Sequence, residues 1–186
     1  MGLNSFYGLY AGIGHMAPRQ GGSFTVYRPE HWALKGTDLC YGDQFGGEAR
    51  IFGYEVDGLD YVISDGVPEP TYKDGAIPGT VIIAMGLATN VEVDHGNKGS
   101  VFFYGSAGCN AESMAEWAPL RYDEVNEKTS AAMARGNGMI ISCQRGAGQI
   151  FNAGTCEWVA GLKLNDADTT IITRNVLERF SQREEG

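Results

Sequence analysis

The chain has 186 residues, 43% of them hydrophobic, enough for one ordinary domain with its own core. Fourteen Lys and Arg against 23 Asp and Glu give a net charge of -9 without a basic cluster, a field that repels a phosphate backbone and excludes nucleic acid as a partner. The longest apolar stretch, Val81 to Ala88, is broken by Gly86 and is far short of the ~20 residues that cross a bilayer, and Met1 to Tyr7 has no secretory pattern; a soluble cytosolic protein without a membrane partner is expected.

Residues 1–20 show little periodicity and read as the edge of a truncated unit. Ser23 to Tyr27 alternates β-branched and aromatic residues and predicts a half-buried strand ended by Pro29. His31 to Phe45 is expected to be irregular, with turns at Gly36, Gly42 and Gly46. Ala49 to Val56, Thr80 to Met85 and Ser100 to Tyr104 predict further strands. Asp65-Gly66 and Asp74-Gly75 mark turns, so residues 65–79, with Pro68, Pro70 and Pro78, are expected to form a surface loop. Asn110 to Arg135 is expected to hold helical segments interrupted at Pro119.

Gly138 to Cys143 and Gln149 to Ala153 flank the glycine-containing connection Arg145 to Gly148, a hairpin signal that predicts antiparallel strands. From Asp168, a candidate N-cap, the apolar positions Ile171, Ile172, Val176, Leu177 and Phe180 follow helical spacing, with Arg174, Arg179 and Arg183 on the polar side. Asn152 to Leu162 is read as the joint that seats this last helix on the sheet, with Trp158 as anchor. Cys40, Cys109, Cys143 and Cys156 form no C-x-x-C pair, so buried free thiols are expected.

Several residue groups carry a chemical reading beside a structural one. Glu55 and Asp57 alternate on a predicted strand and so share a face, where two carboxylates can tune each other or share a cation; they can equally end the strand and bond loop amides. His31 with Asp43 can make a base and its orienting carboxylate, while Asp38 and Asp43 also suit turns. Cys156, before the apolar run from Trp158, has the look of a nucleophile at a strand-to-helix turn, against which stands the burial habit of free thiols. His95 lies in a polar turn, and Gly12-Ile13-Gly14 lacks the helix that a phosphate-binding loop needs.

Four segments together resemble the C-terminal domain of the N,N-dimethylformamidase large (beta) subunit family. They are His31-Trp32 leading to Gly36-Thr37, Tyr41 to Gly46, Gly53 to Gly58, and the tail from Phe151 to Leu162 followed by Thr173 to Leu177. The resemblance implies an α/β fold, an incomplete flavodoxin/glutamine-amidotransferase-like sheet with added antiparallel strands and a C-terminal helix. It also implies hydrolysis of a carbon-nitrogen bond in a small amide, with an iron held by tyrosine and glutamate in the full-length enzyme.

The family's H-x-E segment is missing: His15, His31 and His95 are followed two residues on by Ala17, Ala33 and Asn97. No tyrosine can be assigned to iron by motif, and the metal ligands are unknown. The candidate catalytic residues are therefore Glu55, Asp57 and His31, with Glu55 the one that matches a family position. The chain alone is expected to be inactive, and its truncated sheet to associate with itself or with a missing N-terminal segment or subunit. The alternative is a non-catalytic amidotransferase-like interaction domain.

Overall fold

The computed structural model describes residues 2–10, 17–18, 22–53, 55–89, 123–124, 126–133 and 135–182. In chain order the strands are β1 (Asn4–Tyr10), β2 (Ala17–Pro18), β3 (Phe24–Val26), β4 (Gln44–Phe45), β5 (Glu55–Gly58), β6 (Tyr61–Ser64), β7 (Val67–Pro70), β8 (Val81–Thr89), β9 (Arg135–Arg145) and β10 (Gly148–Asn152). A 3-10 turn covers Trp32–Leu34, and the helices are α1 (Glu127–Met133), α2 (Trp158–Lys163) and α3 (Ala167–Ser181).

The main sheet runs β10-β9-β8-β3-β4, with β2 also on β8. Every strand pair among the described residues is antiparallel. The architecture is thus mixed α/β, with a C-terminal helix. The parallel pairs from which a flavodoxin- or amidotransferase-like sheet is wound do not occur among the described residues.

Gly136 to Cys143 of β9 is an unbroken buried run, the signature of a central strand covered on both faces. One core cluster gathers Phe24, Phe52, Ile83, Ile140 and Ile172; the other gathers Leu59, Ile82, Met139 and Ile141. Each such side chain, fully withdrawn from water, contributes about 1.5–3 kcal/mol. Gly86 and Gly138 are directly paired across β8 and β9, and the Phe52 ring lies on both, so that a Cβ would meet it at 2.5 Å and 2.6 Å respectively.

Three expectations need correction. Ala49 to Val56 is not one strand: Arg50 and Ile51 donate their amides back to Gly47 and Gly46, a turn that puts Arg50 at φ 54, and only Glu55–Gly58 enters a ladder. Residues 65–79 are not all loop, because β6 and β7 form a hairpin around Asp65-Gly66, both at positive φ as a two-residue turn requires. Residues 1–20, read as the edge of a truncated unit, contribute β1, which pairs with β5.

The last helix is capped by Asp166, not Asp168: the Asp166 carboxylate accepts the Thr169 N–H at 2.9 Å. Burial beside Asp166 and Asp38 raises the pKa of Asp168. Ile172 is buried, but Leu177 is 64% exposed. Trp158 anchors the joint as expected, donating Nε1–H to Thr173 Oγ1 at 3.0 Å. The β9–β10 hairpin also forms as read, while Ser100 to Tyr104, Pro119, His15, His95, Gly12-Ile13-Gly14 and Cys109 lie outside the described residues.

Candidate functional site

β5 alternates half-buried and buried positions: Val56 and Gly58 face inward, Glu55 and Asp57 outward on the other side. At the rise of a strand, their Cα atoms stand about 7 Å apart on one face. Two main-chain hydrogen bonds tie this strand to the loop after β10: the Asp57 N–H donates to Gly154 O at 2.9 Å, and the Cys156 N–H donates to Glu55 O at 3.3 Å. The Thr155 hydroxyl completes the tie by donating to Ile51 O at 2.9 Å.

The loop is itself fixed. Gly154 has φ 62 and lies so close to β9 that a Cβ would sit 2.2 Å from Met139 O. Its N–H donates to Asn152 Oδ1 at 2.9 Å. Glu55 and Asp57 therefore face an open pocket of 620 Å³ whose other walls are β10, this loop and Phe180 of α3. The Glu55 carboxylate has no hydrogen-bond or ion-pair partner among the described residues.

His31 is held elsewhere. Its Nδ1 accepts the Ala33 N–H at 3.2 Å, so Nε2–H donates to Ser142 Oγ at 2.8 Å. Burial, with the cations Arg179 and Arg28 adding to it, lowers its pKa to about 4, so the ring is neutral at physiological pH. The His31 and Asp43 pairing does not form: Asp43 accepts the Cys40 N–H at 2.7 Å and shapes the turn. Nor does His31 line the pocket of Glu55 and Asp57.

Cys156 lines that pocket and is exposed, as is Cys40; Cys143 alone among the described cysteines is buried, against the expectation of buried thiols. Partial burial, with Glu157 and Glu55 adding repulsion, nevertheless pushes the Cys156 thiol pKa up. That is the reverse of what a thiolate nucleophile needs.

Two carboxylates can position a water or an amide N–H and exchange a proton with it. They do not by themselves fit a mononuclear iron. Tyr41 donates its hydroxyl to Gly66 O at 2.6 Å, Tyr54 is outside the described residues, and no group of three or more His, Cys, Asp or Glu among the described residues could hold a metal.

Gln149, Phe151 and Thr155 complete the walls and were not singled out from the sequence. For Gln149 and Phe151 the available signal is the β9–β10 hairpin; Thr155 lies in the loop after it, whose packing on β5 is set by tertiary structure. Phe180, expected as core, is 46% exposed and belongs to the pocket rim. Among the described residues, no helix is long and apolar enough to cross a membrane.

No curated protein and no solved structure matches the chain. Residues 4–170 match the family model described as N,N-dimethylformamidase beta subunit-like, C-terminal, and the chain belongs to that family.

Proposed function

We propose that the chain forms one wall of a pocket in which a dimethylformamidase-type subunit hydrolyses the carbon-nitrogen bond of a small amide. The observation that carries this is the pair Glu55 and Asp57, presented on one face of β5 to an open pocket by a backbone-tied loop. In this reading Glu55 exchanges the proton with water or the departing amine, and Asp57, on the same face of β5, helps to position that water or amide N–H.

The amidotransferase-like sheet and the iron of the full-length subunit are, in this reading, supplied by residues other than those described, and the chain alone is inactive. The free thiols Cys40, Cys143 and Cys156 support a reducing, cytosolic setting. The test compares this chain alone with its full-length polypeptide for amine release from N,N-dimethylformamide and larger amides. Release by the full-length polypeptide only is expected; no release from any small amide counts against the reading.

A second reading, a non-catalytic interaction domain, is favoured by one feature. Val159, Leu164 and Leu177 are 68%, 62% and 64% exposed on α2, its C-cap and α3, and exposed apolar residues of this kind suit a subunit or self-association contact. Sedimentation of the wild type against Leu177→Glu separates the readings: a shift to monomer with amide hydrolysis absent in both favours the interaction role.

A further inference from the structure

α3 delivers one cation, Arg179, to the β9–β10 hairpin. Its Nε–H donates to Gln149 Oε1 at 2.7 Å, and its guanidinium carbon lies 4.7 Å from the centre of the Trp32 ring. Trp32 is in turn packed against Phe151 and Phe180, with ring centres 6.0 Å and 6.3 Å away. Holding a long side chain at two points costs rotamer entropy. An ion pair does not offset that cost, because the guanidinium has no carboxylate partner among the described residues. In a chain with 23 acidic against 14 basic residues, an arginine held by an amide and an aromatic ring, with no carboxylate paired to it among the described residues, requires an explanation.

Arg179 lines a second open cavity of 620 Å³ with Gln144, Gln149, Phe180 and Gln182. The charged and amide groups there are one guanidinium and three carboxamides, and none of the described lining residues is acidic. Gln149 and Phe180 also line the pocket of Glu55 and Asp57, so the two cavities adjoin and carry opposite charge.

We propose that Arg179 binds the carboxylate of a small amide that bears one, an N-acyl amino acid in chemical class, whose amide group reaches the pocket of Glu55 and Asp57. This rests on the hydrolytic reading of that pocket. The Trp32 ring and the Nε–H bond to Gln149 hold the guanidinium in place, and its terminal N–H groups can donate in parallel to both oxygens of a carboxylate. Hydrolysis adds the oxygen of water to the acyl carbon, breaks the C–N bond and returns a proton to the departing amino nitrogen, with water as the sole co-reactant.

Calorimetric titration of the full-length polypeptide with N-acetylglycine, N-acetylglycinamide and inorganic phosphate tests this. N-acetylglycine is expected to bind about tenfold or more tightly than the neutral amide. Arg179→Gln is expected to erase the difference, and Arg179→Lys to restore part of it. Equal binding of the two amides, or phosphate binding as tightly as N-acetylglycine, overturns the assignment.

Ala153→Trp, which fills the first pocket, separates this failure from failure of the hydrolytic reading. If the two amides bind equally and both are weakened by Ala153→Trp, the Arg179 subsite falls and the pocket stands. If Ala153→Trp leaves both unchanged, both fall.

Discussion

Asp57 donates its backbone N–H to the carbonyl of Gly154 at 2.9 Å. Together with the Cys156 N–H donating to Glu55 O, this bond joins the strand that carries the two carboxylates to the loop that closes their pocket. Because the Gly154 Cα faces the main chain of Met139, the loop is in turn pressed against the central strand of the sheet. The site is thereby built on the most buried part of the fold, where small displacements are resisted.

Gly154→Ala tests that seating. It combines a positive φ with a Cβ 2.2 Å from Met139 O, and strain of this kind costs about 1–3 kcal/mol even before the main chain shifts. Gly148→Ala, whose Cβ would find its nearest neighbour at 3.6 Å, is the control and should stay within about 0.5 kcal/mol. Urea unfolding midpoints measure both; equal midpoints would show that the loop is not pinned.

Gly138→Ala drives a methyl into the Phe52 ring and the Val56 side chain. Overpacking of this sort costs about 1–3 kcal/mol. Adding Phe52→Leu should make the two changes non-additive, with the double variant more stable than the sum of the single losses indicates. Strict additivity in the denaturation cycle contradicts the contact.

Asn137 is 7% exposed and acts as a side-chain β-partner for Leu59, accepting its N–H and donating to its C=O, both at 3.3 Å. Asn137→Leu leaves two main-chain groups buried without partners, at a cost of about 1–3 kcal/mol each. Thermal unfolding should fall by several degrees or more. A melting temperature within one or two degrees of wild type means that water or a local shift replaces the amide.

Much of this was legible in the sequence, and the misses share a cause. The β9–β10 hairpin and the last helix announce themselves through local turn chemistry and period, and both form. Asp65-Gly66 reads as one of two Asp-Gly turns in a surface loop that carries Pro68 and Pro70. Both prolines are nevertheless accepted in the two-stranded ladder, facing Ile63 and Tyr61. Ile51 and Phe52 look like strand residues because they are buried, yet the Ile51 amide bonds back to Gly46 across a turn and the Phe52 amide to the distant Gly22 just before β3; burial is legible and its backbone route is not. The face shared by Glu55 and Asp57 follows from alternation alone. The rest of the pocket depends on which loop packs against β5, and that contact is set by tertiary structure.

His31 offers a pH test. Its pKa in the fold is lowered to about 4, chiefly by burial, so folding favours the neutral ring. The associated stability is fully present above the ordinary imidazole pKa of about 6.5 and is lost as pH falls from there through about 4. After solvent screening of this half-buried ring it amounts to about 1 kcal/mol. Wild type should lose that much more stability than His31→Gln between neutral pH and pH 4, with the ring titrating near 4 by NMR. A midpoint at the ordinary value contradicts the buried Ser142 contact.

The measurement that bears most directly on the site is kcat/KM for amide hydrolysis by the dimethylformamidase-type enzyme proposed above, carrying Glu55→Gln, Asp57→Asn or both, with Glu157→Gln as control. Loss of one proton-transfer group removes about 10²–10⁴-fold of rate. Expected are a loss of that size for Glu55→Gln, a smaller one for Asp57→Asn, little further loss in the double variant, and wild-type rate for Glu157→Gln, all with unchanged unfolding midpoints. Wild-type turnover by a folded Glu55→Gln variant would contradict the assignment and leave the wall of the pocket without a chemical role.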